Sequence, residues 1–274
     1  MKKKKIISFD YFPSFQEKDA FYEKITNEQD APSIILTQFL LLFIFSFLYG
    51  FVMGIYNGWL QALTAGFKLP ILFVLSMLIC FPAFFMVQYI LGSRLKFYSM
   101  LAIIITGLVL TSAIMLSFSP IVIFFLITSK NYDFLKLLHV AIIGFAGIFG
   151  MRTVVEALKF SCEKKNVYPK IGVKIFQFWI IILAFVGMQL AWSLRPFIGA
   201  KYQPYQLLRK QEGNFYLAVL KSTGRLLNLL DQRKPIGQEL EKIAPQKEVE
   251  DVKKQDPKTQ DVEGQKKEEN VEKK

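Results

Sequence analysis

The side chains that could carry chemistry in this chain are few and scattered. There is one histidine, His139, and there are two cysteines, Cys80 and Cys162. From Ala31 to Tyr132 there is no Asp or Glu at all. Coupled carriers, proton pumps and many intramembrane hydrolases place an acid at mid-membrane depth, so this gap argues against all three. Backbone carbonyls at broken helices keep an ion site conceivable without one. His139 has no HExxH, GxSxG or paired-acid pattern around it, and there is no GxxxxGK phosphate loop. A lone imidazole near a helix end reads as a packed or interfacial residue. Cys80 lies in an apolar block and Cys162 in a lysine-rich stretch, without a CxxC, so both read as free thiols. Asn57, Gln88, Gln177 and Gln189 sit in or beside apolar blocks, where hydrogen bonding between helices is the expected role. The expectation is a chain that is not an enzyme, with no catalytic residue, cofactor or metal ligand.

The elements that would position these groups are dictated by composition. The 274 residues are 53% hydrophobic and 15% aromatic, with a mean hydropathy of +0.33. A soluble domain sits nearer 45–50% apolar. Here the apolar residues come in long blocks, which makes lipid the expected solvent. The net charge of +12 does not indicate nucleic acid. Residues 232–274 hold eleven basic and eleven acidic side chains, so the whole excess lies in residues 1–231, flanking the apolar blocks. That is the arrangement of membrane anchoring, and the expected partners are membrane lipids and other membrane proteins.

The blocks predict an all-α, polytopic transmembrane bundle over residues 33–195. A crossing needs about 20 apolar residues. The first span is expected over 33–56, with Asp30 as N-cap and Pro32 in the first turn. Gly50, Gly54 and Gly58 recur every fourth residue and mark a helix-packing face. Residues 57–68 read as a connector with Trp59 as interfacial anchor. The second span, 69–91, has Pro70 near its start and a kink expected at Pro82. Residues 97–128 carry no charge, yet Ser119-Pro120 interrupts them, leaving about twenty apolar residues before the break and eight after it. Eight helical residues cover about 12 Å, so the expectation is one crossing followed by a kinked half-helix. The fourth span covers 134–155, with Gly144, Gly147 and Gly150 as packing positions. A basic loop then runs over 152–174, and the fifth span covers 175–194.

Outside the bundle, residues 1–32 form a polar, aromatic arm with a short helix after Pro13. Its aromatics read either as a membrane-surface face or as part of a loosely ordered arm. Lys2 to Lys5 imitate a signal-peptide start, but Asp10, Glu17 and Asp19 interrupt the apolar region, so the first block is expected to stay as an anchor. Residues 196–231 form a juxtamembrane segment whose part from Asn214 to Asp231 is an amphipathic helix, lying on the membrane or on the bundle. Tyr216, Val219, Leu220, Leu227 and Leu230 form one face, and Lys221, Arg225 and Asn228 the other. Residues 232–274 are too charged to offset their ordering entropy and are expected to be disordered. With five spans, ten near-membrane basic residues on the N-terminal side face seven on the other, which favours a cytoplasmic N-terminus. A sixth crossing would place the basic 152–174 loop outside.

Two resemblances bear on this layout. The segment from Tyr89, Ile90, Leu91 and Gly92 through Ser119-Pro120 and the next span is similar in layout to the Yip-type membrane domain, a five-helix bundle associated with membrane trafficking. That likeness implies an N-terminus in the cytoplasm and a C-terminus in the lumen. The stretches WSLRPFIG (192–199) and EGNFYLAVL (212–220) resemble uncharacterised bacterial integral membrane proteins, which implies the bacterial inner membrane. Neither supplies a catalytic residue. The function expected is a membrane scaffold or partner-binding component. Its contact residues would be Trp192, Arg195, Pro196, Phe197, Asn214, Phe215 and Tyr216. The rival is an uncoupled channel or transporter with a pathway at Pro82 and Ser119-Pro120.

Overall fold

A computed structural model describes residues 18–26, 31–129, 131–199, 207–208 and 215–231. Among these every regular element is a helix: α1 (Lys18–Thr26), α2 (Ala31–Gly54), α3 (Trp59–Ile90), α4 (Phe97–Ser117), α5 (Ser119–Thr128), α6 (Tyr132–Glu163), α7 (Lys170–Ser193) and α8 (Phe215–Asp231). Five of them, α2, α3, α4, α6 and α7, are long and apolar enough to cross a membrane. Asp30, Asn214 and the 232–274 tail lie outside the described residues, so the expectations placed on them stand outside the structure.

The core is built around α4, whose apolar stretch is 78% buried against 28–44% for the other four. It lies between α2 and α6, and α3 packs on α2 and α7. The outer surface is apolar as well. Leu36 and Leu40 on α2, Leu78 and Ile79 on α3, and Phe178, Ile181 and Phe185 on α7 are all exposed. Exposed apolar faces of this extent would be unstable in water and suit hydrocarbon. The bundle is that of an integral membrane protein. The uncharged run of residues 97–128 folds as one long helix and a short one. α4 ends at Ser117, Phe118 breaks the helix, and the short α5 follows.

Several boundaries differ from the sequence reading. Residues 59–68 are not a connector but the first ten residues of α3. Only a 3-10 turn (Ile55–Asn57) and Gly58 separate α2 from α3. Gly58 has φ +122°, a conformation that L side chains rarely adopt, so it serves the turn, and a methyl there would meet none of the described residues within 4 Å. The hairpin is tight because α2 presents glycines to it. A methyl at Gly50 would lie 2.5 Å from the Ala65 carbonyl oxygen, and one at Gly54 would lie 2.5 Å from that of Gln61. α3 stays helical through both Pro70 and Pro82. The basic 152–174 loop shrinks to residues 164–169, because α6 continues to Glu163 and α7 begins at Lys170. Val154, Ala157, Leu158 and Ser161 are buried at spacings of three and four, which keeps those turns of α6 helical.

The aromatic face of α1 turns to protein rather than to the membrane surface. Phe21, Tyr22 and Ile25 are buried, with the Tyr22 ring 5.9 Å from Phe160. The Ser99 hydroxyl donates to the Ile25 carbonyl at 2.8 Å, and Thr26 Oγ1 and Ser161 Oγ share a hydrogen bond at 3.1 Å. α1 thus caps the ends of α4 and α6.

Candidate functional site

Among the described residues, a group of polar contacts outside regular secondary structure lies where the chain leaves α7. Arg195 stacks its guanidinium over the Trp192 ring, 3.4 Å from the centroid. Pro196, Ile198 and Gly199 are buried, and Phe197 is half-buried. The carbonyls of this segment are gathered by side chains from earlier helices. Gln61 Nε2 donates to Pro196 O at 2.9 Å and to Phe197 O at 3.0 Å. Lys68 Nζ donates to Pro196 O at 3.1 Å and also to Leu207 O. Tyr132 Oη donates to Ile198 O at 3.0 Å. Gly199 lies against the Asn57 side chain so closely that a methyl there would stand 2.2 Å from Nδ2. The Trp-Ser-Leu-Arg-Pro-Phe-Ile-Gly stretch is therefore a lid pinned across the ends of α2, α3 and α6.

Lys68 and Gln61 hold this segment in place, and sequence reasoning missed both. Lys68 reads as a flanking cation beside head groups, yet it is 6% exposed and spends its donors on backbone carbonyls, with the Phe197 ring 6.0 Å away. A buried charge needs partners of this kind. The available signal was that Lys68 stands in a stretch with no acid between Asp30 and Asp133. The acceptors then have to be carbonyls.

The other chemical candidates are packed rather than arrayed. His139 is 3% exposed, and its Nδ1 shares a hydrogen bond with Tyr49 Oη at 2.9 Å, the rings edge to face. Its Nε2 and the hydroxyl of Ser119 have no hydrogen-bond partner among the described residues. Gln88 Nε2 donates to Gly172 O at 3.2 Å, joining α3 to α7. Gln177 and Gln189 do not join helices through their side chains' burial: both lie on exposed positions near the two ends of α7. Gln38, which sequence reading passed over, donates to Thr106 Oγ1 at 2.7 Å between α2 and α4. Both cysteines are free thiols. Among the described residues no three His, Cys, Asp or Glu side chains converge on a possible metal position.

Of the glycines expected to pack helices, Gly150 meets α4: a methyl there would lie 1.9 Å from Thr111 Oγ1 and 2.5 Å from Gly107 O. At Gly144 and Gly147 a methyl would meet none of the described residues within 4 Å. Phe215 and Tyr216 begin α8. Comparison of the chain with protein-family models, with curated proteins and with solved structures finds no match.

Proposed function

We propose that this chain is a non-enzymatic scaffold of the bacterial inner membrane, with its N-terminus in the cytoplasm, which holds a partner-binding lid at the far end of a closed bundle. One observation carries the reading: five hydroxyls inside the bundle are spent on nearby helix carbonyls. Ser46 donates to Leu42 O, Ser76 to Leu72 O, Thr106 to Ala102 O, Thr111 to Gly107 O and Ser112 to Val109 O. Hydroxyls bonded in this way have no proton left to donate to a passing anion, and no carboxylate accompanies them from Ala31 to Tyr132 to hold a cation. The pinned 194–199 lid is the part built to hold a fixed shape at a membrane surface. Reconstituted liposomes should show no flux of ions or small solutes above protein-free controls. Purification from native membranes in mild detergent should recover a stoichiometric companion that is lost on deleting residues 196–231.

A channel or uncoupled carrier is the second reading. It is favoured by the half-length α5 and by the buried Ser119 hydroxyl and His139 Nε2, which find no hydrogen-bond partner among the described residues. A saturable flux abolished by His139→Phe would replace the scaffold reading with this one.

A further inference from the structure

We propose that the first turns of α7, with the α3–α4 turn beside them, bind the head group of an anionic phospholipid whose acyl chains lie along the outer face of α7. The proposal rests on the bundle being that of a membrane protein, and it commits to lipid as the occupant.

α7 has two separate sides. Gly172, Val173, Phe176, Trp179 and Leu183 are buried. At about 100° of rotation per residue they fall in an arc roughly 120° wide. That side is held against α3: the Phe176 and Trp179 rings lie 5.0 Å and 4.6 Å from the Phe84 ring, and Gln88 Nε2 donates to Gly172 O. Lys170, Ile171, Lys174, Phe178 and Ile181 are exposed. They share an arc about 100° wide on the opposite side of the helix. The two lysines therefore stand at the head of an apolar face that faces away from the bundle. From Lys170 to Ile181 this face descends about 16 Å, enough for a head group and the upper part of an acyl chain.

The cations here have no acid of their own. Among the described residues no carboxylate pairs with Lys170, Lys174 or Arg94. No Asp or Glu occurs from Lys164 to Gln211 or from Ala31 to Tyr132, which covers α7, α3 and the turn after α3. At this end of the bundle Asp19 and Glu23 of α1 are engaged by Lys164 and Lys165. Arg94 is exposed, and its backbone N–H donates to Val167 O at 2.8 Å, three residues before Lys170. A guanidinium fork and two ammonium groups are thus carried by backbone that is tied together. At the bilayer edge lysine stems lie along apolar surface while their heads reach the phosphate level, and arginine matches a phosphate in two-pronged fashion. A zwitterionic lipid brings its own cation into this patch. An anionic one does not, so the uncompensated positive charge selects it.

Quenching by brominated lipid tests this in vesicles of equal phosphatidylcholine and phosphatidylglycerol. The full chain with Cys80→Ala and Cys162→Ser carries a bimane label on Phe178→Cys or, as reference, on Leu40→Cys. Leu40 is an exposed position of α2 at a similar distance from the start of its helix, and no basic residue occurs from Ala31 to Phe67. Dibromo acyl chains are placed on one lipid class at a time. At 178 brominated phosphatidylglycerol should quench about twofold more than brominated phosphatidylcholine, while at 40 the two should quench alike. Lys170→Gln with Lys174→Gln and Arg94→Gln should abolish the difference at 178, and Lys170→Arg with Lys174→Arg should keep it. Equal quenching by both lipids at 178 overturns the proposal. So does the same phosphatidylglycerol preference at 178 and 40, a preference that survives the glutamine variant, or one lost in the arginine variant. A label at 178 that neither lipid quenches, beside one at 40 that is quenched, means that protein covers α7, which also overturns it. Absence of quenching at both positions overturns the membrane reading itself.

Discussion

A methyl group at Gly54 would lie 2.6 Å from the Ala62 Cα as well as against the Gln61 carbonyl, and neither backbone atom can swing aside. Gly54→Ala is therefore expected to part the α2–α3 hairpin and lower the thermal stability of the detergent-purified protein. Gly144→Ala meets open space and removes a flexible residue from a helix interior, so it should be neutral or stabilising by up to about 1 kcal/mol. Melting curves of the two variants side by side check both. The four-residue spacing of Gly50 and Gly54 announces a close approach, but spacing cannot say which glycine has a neighbour. That depends on where α3 and α4 pass. The Tyr49–His139 bond is a sharper case. Its partners are ninety positions apart and nothing local links them. Tyr49→Phe leaves the imidazole Nδ1 unpaired in the interior and should cost about 1–3 kcal/mol. In Tyr49→Phe/His139→Phe the second substitution should add less than it does alone, read from a double-mutant cycle.

For α1, the question is what holds nine residues onto the bundle. Its ion pairs, Lys164 with Asp19 at 2.6 Å and Lys165 with Glu23 at 2.7 Å, are largely solvent-exposed and contribute about 0–1 kcal/mol each. The buried Phe21, Tyr22 and Ile25 contribute more. Burial, reinforced by the charges of Glu156 and Asp19, pushes the Tyr22 phenol up to about 12. A phenol that ionises later in the docked state than when free stabilises docking fully below pH 10. That contribution is then lost as pH rises from about 10 to about 12. Protease cleavage within Lys18–Thr26, relative to cleavage of a free peptide of the same sequence at the same pH, should increase across that window, and Tyr22→Phe should flatten the response. The lid after α7 depends on a different anchor. Lys68→Met removes the donor shared by Pro196 O and Leu207 O, so exchange or protease cleavage near 196–208 should rise while the spans stay protected. The existence of each helix was readable because apolar length and punctuation declare it. The ends of α3 and α6 were not, because tertiary packing against glycines and against α1 extends them past their apolar residues.

Five candidate crossings place the α1 end and the α5 end on opposite faces. Exposed Lys96 belongs to the first end and exposed Thr128 to the second. If the basic end is cytoplasmic, Thr128→Cys should react with a membrane-impermeant maleimide in intact cells and Lys96→Cys only after lysis. The span number and the half-helix were legible because the hydrocarbon thickness is a fixed ruler and Ser119-Pro120 marks where the ruler runs out. The candidate site was legible only in part. Trp192 to Phe197 could be picked out as unusual, but the lysine and glutamine that hold the segment sit some 130 positions earlier.

The length of α6 has a practical consequence. Its 32 residues extend about 48 Å, well over the roughly 30 Å that a bilayer interior requires. The surplus turns carry docked α1. The 164–169 connection beside them is fastened by Arg94 N–H to Val167 O at 2.8 Å and by Val167 N–H to Ser161 O at 3.1 Å. A 31.6 kDa chain submerged in a micelle gives single-particle microscopy almost nothing to align. This stiff outcrop is where a rigid fusion or a nanobody epitope could be grafted as a fiducial.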